Sequence, residues 1–161
     1  MRFQDLATPT GGVLACRIFA NPHIGLVPTL FFDIAIELSP FEFDGILEKT
    51  SVRLDFIRFE VRSLDELSGK RFVFPTNPED GYIDGSIYLG HAHNPADATE
   101  IAFGPLGKAS VETTLKIQFD FTYEGVSEAL GKPSVLWRVP LRFDRAGIDK
   151  VFAEAHSRIW R

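Results

Sequence analysis

The chain has 161 residues, enough for one domain whose core needs no disulfide or metal staple. Hydrophobic residues make up 45% and charged residues 24%, ordinary values for a globular protein in water, and the formal net charge is −5. That mild acidity argues against nucleic acid or an anionic membrane as the main partner, since either would reward a basic face, and a single cysteine excludes an intrachain disulfide.

The first residues, MRFQDLATPTGG, hold no apolar run of the signal-peptide kind, and no segment reaches the ~20 apolar residues of a membrane span. A cytoplasmic location is therefore expected. Fifteen phenylalanines against one methionine point to a core packed between pleated surfaces. Residues 13–19 and 30–38 read as strands, with Cys16 in the first as a small buried hydrophobe. In SVRLDFIRFEVR, Val52, Leu54 and Phe56 share one parity, while Ile57, Phe59 and Val61 share the other. One change of phase at Phe56–Ile57 is what a β-bulge produces, since an extra residue turns everything after it to the opposite face. Two short strands meeting at a corner would give the same pattern.

Ser63 followed three residues later by Glu66 has the spacing of a capping box and predicts a short helical turn over residues 63–67. Short strands follow at residues 71–74, 82–89 and 100–103. Glu79, Asp80 and Asp84 lie in NPEDGYIDG, which lacks the regular ligand spacing and closing glutamate of an EF-hand loop, so a turn is expected there. The strongest signal is VETTLKIQFDFTY, residues 111–123, where Val111, Thr113, Leu115, Ile117, Phe119, Phe121 and Tyr123 alternate with polar residues. At ~3.3 Å per residue it would extend roughly 40 Å, so it is expected to bend or to serve two sheets. Residues 135–143 alternate too, but Pro140 cannot donate to a ladder and predicts an edge or an interruption.

The last segment, AGIDKVFAEAHSRIW, places Ile148, Val151, Phe152, Ala155 and Ile159 at helical intervals and predicts an amphipathic helix over about residues 146–161. Trp160 falls off that stripe. The basic residues Arg138, Arg142, Arg145, Lys150, Arg158 and Arg161 are interleaved with carboxylates and read as a mixed-charge surface. Separators such as NPHIG, SPFEFDG, TNPEDG, HNPAD and EGVSEALGKP carry turn chemistry. Together these predict a mainly β chain: an antiparallel β-sandwich or a jelly-roll-like barrel, with one short helical turn and a C-terminal helix, in one domain of residues 1–161.

One stretch invites a metal. In LGHAHNPAD, residues two apart on a strand project from the same face, so His91 and His93 can present imidazoles together, with Asp97 arriving after a turn at Asn94–Pro95. Gly85, His91, His93, Asp97 and Gly104 stand at the intervals of the first cupin motif, which the segment resembles, with Asp97 where that family has glutamate. The resemblance implies a double-stranded β-barrel and a divalent transition metal held by His91, His93 and Asp97. No second cupin motif follows Gly104. A polar hairpin with surface histidines satisfies the same residues and is the preferred reading.

No Gly-x-Ser-x-Gly elbow, phosphate-cradling glycine loop or Cys-x-x-Cys pair is present. The expected function is therefore that of a non-enzymatic protein-binding module, an immunity-type inhibitor or an adaptor, without a cofactor and with another protein as partner. Its docking edge would be residues 135–143. The alternative is a cupin-like metal-dependent enzyme or small-molecule binder.

Overall fold

Period-two alternation becomes ten strands: β1 (Pro9–Asn21), β2 (Leu26–Leu38), β3 (Phe41–Phe43), β4 (Ile46–Glu48), β5 (Ser51–Ile57), β6 (Arg71–Val73), β7 (Asp84–Leu89), β8 (Ala92–Phe103), β9 (Ser110–Phe119) and β10 (Ser134–Arg142). Two α-helices, α1 (Phe3–Leu6) and α2 (Arg145–Arg158), stand at the ends of the chain. This computed structural model describes residues 2–125 and 127–160. Met1, Val126 and Arg161 fall outside them; Val126 belongs to the EGVSEALGKP separator and Arg161 to the C-terminal basic group.

Strands β1, β2, β5, β7, β8, β9 and β10 lie side by side in chain order, each antiparallel to the one before, and β10 returns to β1. With an odd number of alternating strands the closing pair must run parallel, and it does, bridged at Gly12–Leu141 and Val13–Arg142. Of the two arrangements expected, the barrel is the one formed. It is an up-and-down meander rather than a jelly roll, because consecutive ring strands are neighbours throughout. Strand β6 adds to the C-terminal half of β8, and β3–β4 form a separate ribbon.

The inward positions are mostly apolar, with Asn94 and Thr113 as buried polar exceptions, and many outward ones are charged. Ile34, Ile36, Leu54, Ile87, Ile101, Leu115, Ile117 and Val139 are all fully buried, each contributing about 1.5–3 kcal/mol relative to exposure. Outside, Arg138 of β10 pairs with Glu112 of neighbouring β9 at 3.2 Å, and Arg142 reaches across β1 to Glu37 of β2 at 2.7 Å. Phe3 of α1 plugs one end, its ring 4.8 Å from both Phe119 and Phe121. At the other end Phe152 of α2 reaches Phe32, 5.9 Å away, above a phenylalanine cluster centred on Phe59. Ile148, Phe152 and Ala155 form the buried part of the helical stripe, and Trp160 folds back against Phe152 and His156. No helix among the described residues is long and apolar enough to cross a membrane.

Close backbone approach explains one glycine. A Cβ on Gly85 would stand 1.9 Å from the Ala96 carbonyl oxygen, so β7 and β8 meet there only because the side chain is missing.

Some local expectations hold and others meet a different outcome. The phase change in β5 is a bulge: Ile34 faces Leu54 but Phe32 faces Ile57, so three residues of β5 answer two of β2. Strand β9 stops at Phe119 rather than Tyr123, because Asp120 folds back on the chain, Oδ1 accepting the Thr122 N–H at 3.0 Å. Strand β10 pairs with β9 along its length, while its other flank joins β1 only beyond Pro140, so the interruption expected at the proline is there. HNPAD is strand rather than turn; Pro95 stands where β8 hands over from β7 to β9. The turn over residues 64–67 is a 3-10 helix without a Ser63 side-chain cap, and Glu66 accepts the N–H of Arg62 instead.

Candidate functional site

The β1–β2 hairpin outruns the barrel. On one flank β1 is bridged to β10 only as far as Val13, and on the other β2 meets β5 only from Phe32 onward. Beyond those points the two strands pair with each other alone, through Phe19–Thr29 to Asn21–Leu26. Asn21 Oδ1 accepts the His23 N–H at 3.2 Å, and Gly25, at φ 72°, closes the turn over Pro22–Ile24. This tip carries two large apolar side chains into water: Ile24 is 74% exposed and Val27 69%.

Two clefts lie against the hairpin. The larger, about 590 Å³, is walled by Phe19, Phe31, Phe56 and Tyr82, with Asp80 and Asp84 on its far side. Phe56 is the bulged residue, held at φ 57°, a left-handed conformation that costs a side-chain-bearing residue about 1–2 kcal/mol. Its surroundings compensate. Asp33 Oδ1 accepts the Phe56 N–H at 3.2 Å, Arg17 donates from Nε to Asp33 Oδ2 at 2.8 Å, and the Arg17 guanidinium stacks 4.5 Å from the Phe56 ring centroid. Phe19 and Phe31 close on the same ring at 5.3 and 5.4 Å.

The smaller cleft, about 460 Å³, is floored by Phe32, Phe59 and Val61 and walled by Trp160, Arg58 and Arg62. Arg58 borders both clefts. Glu60 also lines the smaller one, at φ 57°, so two left-handed residues four apart shape the chain between the clefts. A side chain forced into this region without being glycine marks a place where the surroundings over-determine the backbone.

Burial also shifts the nearby ionisable groups. Asp55 is pushed above the usual carboxylate range, with Arg53 opposing the shift and Asp33 adding to it. The Cys16 thiol is pushed up to about 12 by burial first and then by the Asp33 and Asp149 carboxylates, so it stays protonated at neutral pH.

The histidines lie elsewhere. Gly90 and His91, at φ 59° and 64°, form the two-residue turn of the β7–β8 hairpin, a type I′ geometry, and Glu48 Oε1 accepts the Gly90 N–H at 3.0 Å. His93 is opposite Tyr88 on the outer face, edge-on at 5.0 Å. Asp97 is further along β8, where burial pushes its carboxyl up and the Asn77 N–H pulls it back. His91 in the turn and Asp97 in β8 are six residues apart, about 20 Å of extended chain, so the three side chains are spread out rather than gathered. Among the described residues no three His, Cys, Asp or Glu side chains assemble into a metal-holding group.

Of the acidic turn, Asp80 and Asp84 line the aromatic cleft, a placement no spacing rule announces. The hairpin tip was visible as NPHIG, but its exposed Ile24 was not, because a turn sequence does not say how far its strands outrun the sheet. Comparison with family models, curated proteins and solved structures finds no match to this chain. What defines it is its architecture: a closed seven-stranded meander barrel with an overhanging hairpin.

Proposed function

We propose that this barrel is a non-enzymatic protein-binding module, an adaptor or inhibitor, which docks its partner on the overhanging β1–β2 hairpin and the aromatic cleft beside it. The observation that carries this reading is the pair Ile24 and Val27, two branched apolar side chains left in water at the tip of a hairpin that contributes nothing there to barrel closure. Exposed apolar side chains grouped at a protrusion mark interaction sites, and aromatic anchors in a neighbouring pocket are where binding energy concentrates. The strained Phe56 supports the same reading, since its ring is held at the cleft wall against a conformational cost. Basic side chains on the partner would meet Asp80 and Asp84 across the cleft.

The test is a double variant, Ile24→Asp with Val27→Asp. Both positions are exposed, so the melting temperature should stay within a few degrees of the parent. A partner retained by the tagged parent protein in its native host should be lost from the variant. Equal retention by both proteins would remove the hairpin from the interface.

A further inference from the structure

The arginines of this chain are almost all spoken for. Ten lie among the described residues, and eight of them form ion pairs with a carboxylate: Arg2, Arg17, Arg53, Arg71, Arg138, Arg142, Arg145 and Arg158. Acidic residues outnumber basic ones, 22 to 17, so a carboxylate partner is easily found. Arg58 and Arg62 are the two exceptions. They are four residues apart and line the same cleft of about 460 Å³.

Both guanidiniums are held by aromatic faces instead of by charge. Arg62 stacks on Trp160 with its Cζ 4.2 Å from the ring centroid, and Arg58 lies over Phe31 at 5.4 Å. Stacking fixes the plane of a guanidinium and leaves the N–H groups at its edge free to donate, which suits a two-pronged contact with a phosphate or carboxylate. Arg62 is anchored through its backbone as well: its N–H donates to Glu66 Oε2 at 3.1 Å, and its carbonyl oxygen is 2.9 Å from His156 Nε2. Glu60 lies between the two arginines in sequence and lines the cleft, yet no ion pair joins it to either. The floor beneath them is Phe32, Phe59 and Val61, each at most 5% exposed. Oriented cations above an apolar floor, in a cavity of small-molecule size, make an anion site with room for a ring.

We propose that this cleft binds a small organic anion in which a phosphate or carboxylate is attached to a planar or apolar ring, the head group held by Arg58 and Arg62 and the ring seated on Phe32 and Phe59. The site adjoins the protein-docking surface proposed above, sharing Val27 and Arg58 with its margin, but its ligand is read from the two arginines and the apolar floor and does not depend on that surface being used. The head group accepts hydrogen bonds from the guanidinium edges, and the ring displaces water from the apolar floor.

Nuclear magnetic resonance of the full chain reads this directly, because the two tryptophan indole N–H signals report on opposite ends of the barrel. Phenyl phosphate and benzoate are titrated as probes, with benzyl alcohol and benzylamine as neutral and cationic controls. The expected result is a saturable shift of the Trp160 signal with Trp137 unmoved for at least one of the two anions, and the better of the two assigns the head group. Arg58→Gln and Arg62→Gln should each weaken that binding at least tenfold, while the unmoved Trp137 signal shows that the core is intact. Binding by benzyl alcohol as tight as by the anions would overturn the proposal, as would variants that bind like the parent. A response only to an acidic, phenylalanine-containing peptide would overturn it too, making the cleft part of a protein interface.

Discussion

Asp33 Oδ1 accepts the backbone N–H of Phe56 at 3.2 Å, and the same carboxylate receives the Arg17 guanidinium. One side chain on β2 thus ties down both the left-handed residue of the bulge and the cation stacked on its ring. Asp33→Ala should leave a part-buried N–H and a part-buried guanidinium without their acceptor, a loss of about 1–3 kcal/mol. Asp33→Asn keeps a carbonyl oxygen for the Phe56 N–H and should lose less. Urea denaturation of the three proteins measures both differences, and an alanine variant as stable as the parent would show that Asp33 does not hold the bulge.

The bulge itself was legible because burial has a parity. Val52, Leu54 and Ile57 are all fully buried, and only an extra residue between Leu54 and Ile57 lets them share a face. The same parity placed Leu115, Ile117 and Phe119 in the core. Closure of the sheet was beyond this reasoning, because which strand neighbours which is a long-range property that alternation does not encode. HNPAD misled for a physical reason: asparagine and proline favour turns only where the chain is free to turn, and Pro95 is instead at the hand-over between two ladders. The clefts were illegible since their walls come from β1, β2, β5, a distant acidic turn and the end of α2.

At the far end of the barrel, Phe3 is fully buried although it is the third residue of the chain, and its ring meets Phe41, Phe119, Phe121 and Trp137. Sequence periodicity gave no sign of it, because a single helical turn has no period to detect. Phe3→Ala should cost about 3–5 kcal/mol, the range for removing a fully enclosed aromatic ring. A loss near zero, measured by thermal or urea unfolding, would mean that α1 does not plug the barrel.

His91 occupies a left-handed position in the β7–β8 turn, where a side chain is a burden rather than an asset. If its role is to make a turn, His91→Gly should raise stability by up to about 1 kcal/mol. A metal-holding role predicts the opposite, a loss that depends on added divalent cation. Melting curves with and without zinc separate the two outcomes.

Cys16 gives the chain a specific response to alkali. Its folded thiol is raised from the ordinary 9.0 to about 12, by burial first and then by Asp33 and Asp149. A group whose folded value is raised holds its proton where the unfolded chain has released it, so its contribution is complete below pH 9 and disappears as the pH climbs toward 12. The signal is the difference from Cys16→Ala, whose stability should fall less steeply there. The same burial predicts slow reaction with a thiol reagent at pH 8 and rapid reaction once urea unfolds the chain. Rapid reaction of the native protein would place the thiolate in water and remove the cause of the shift.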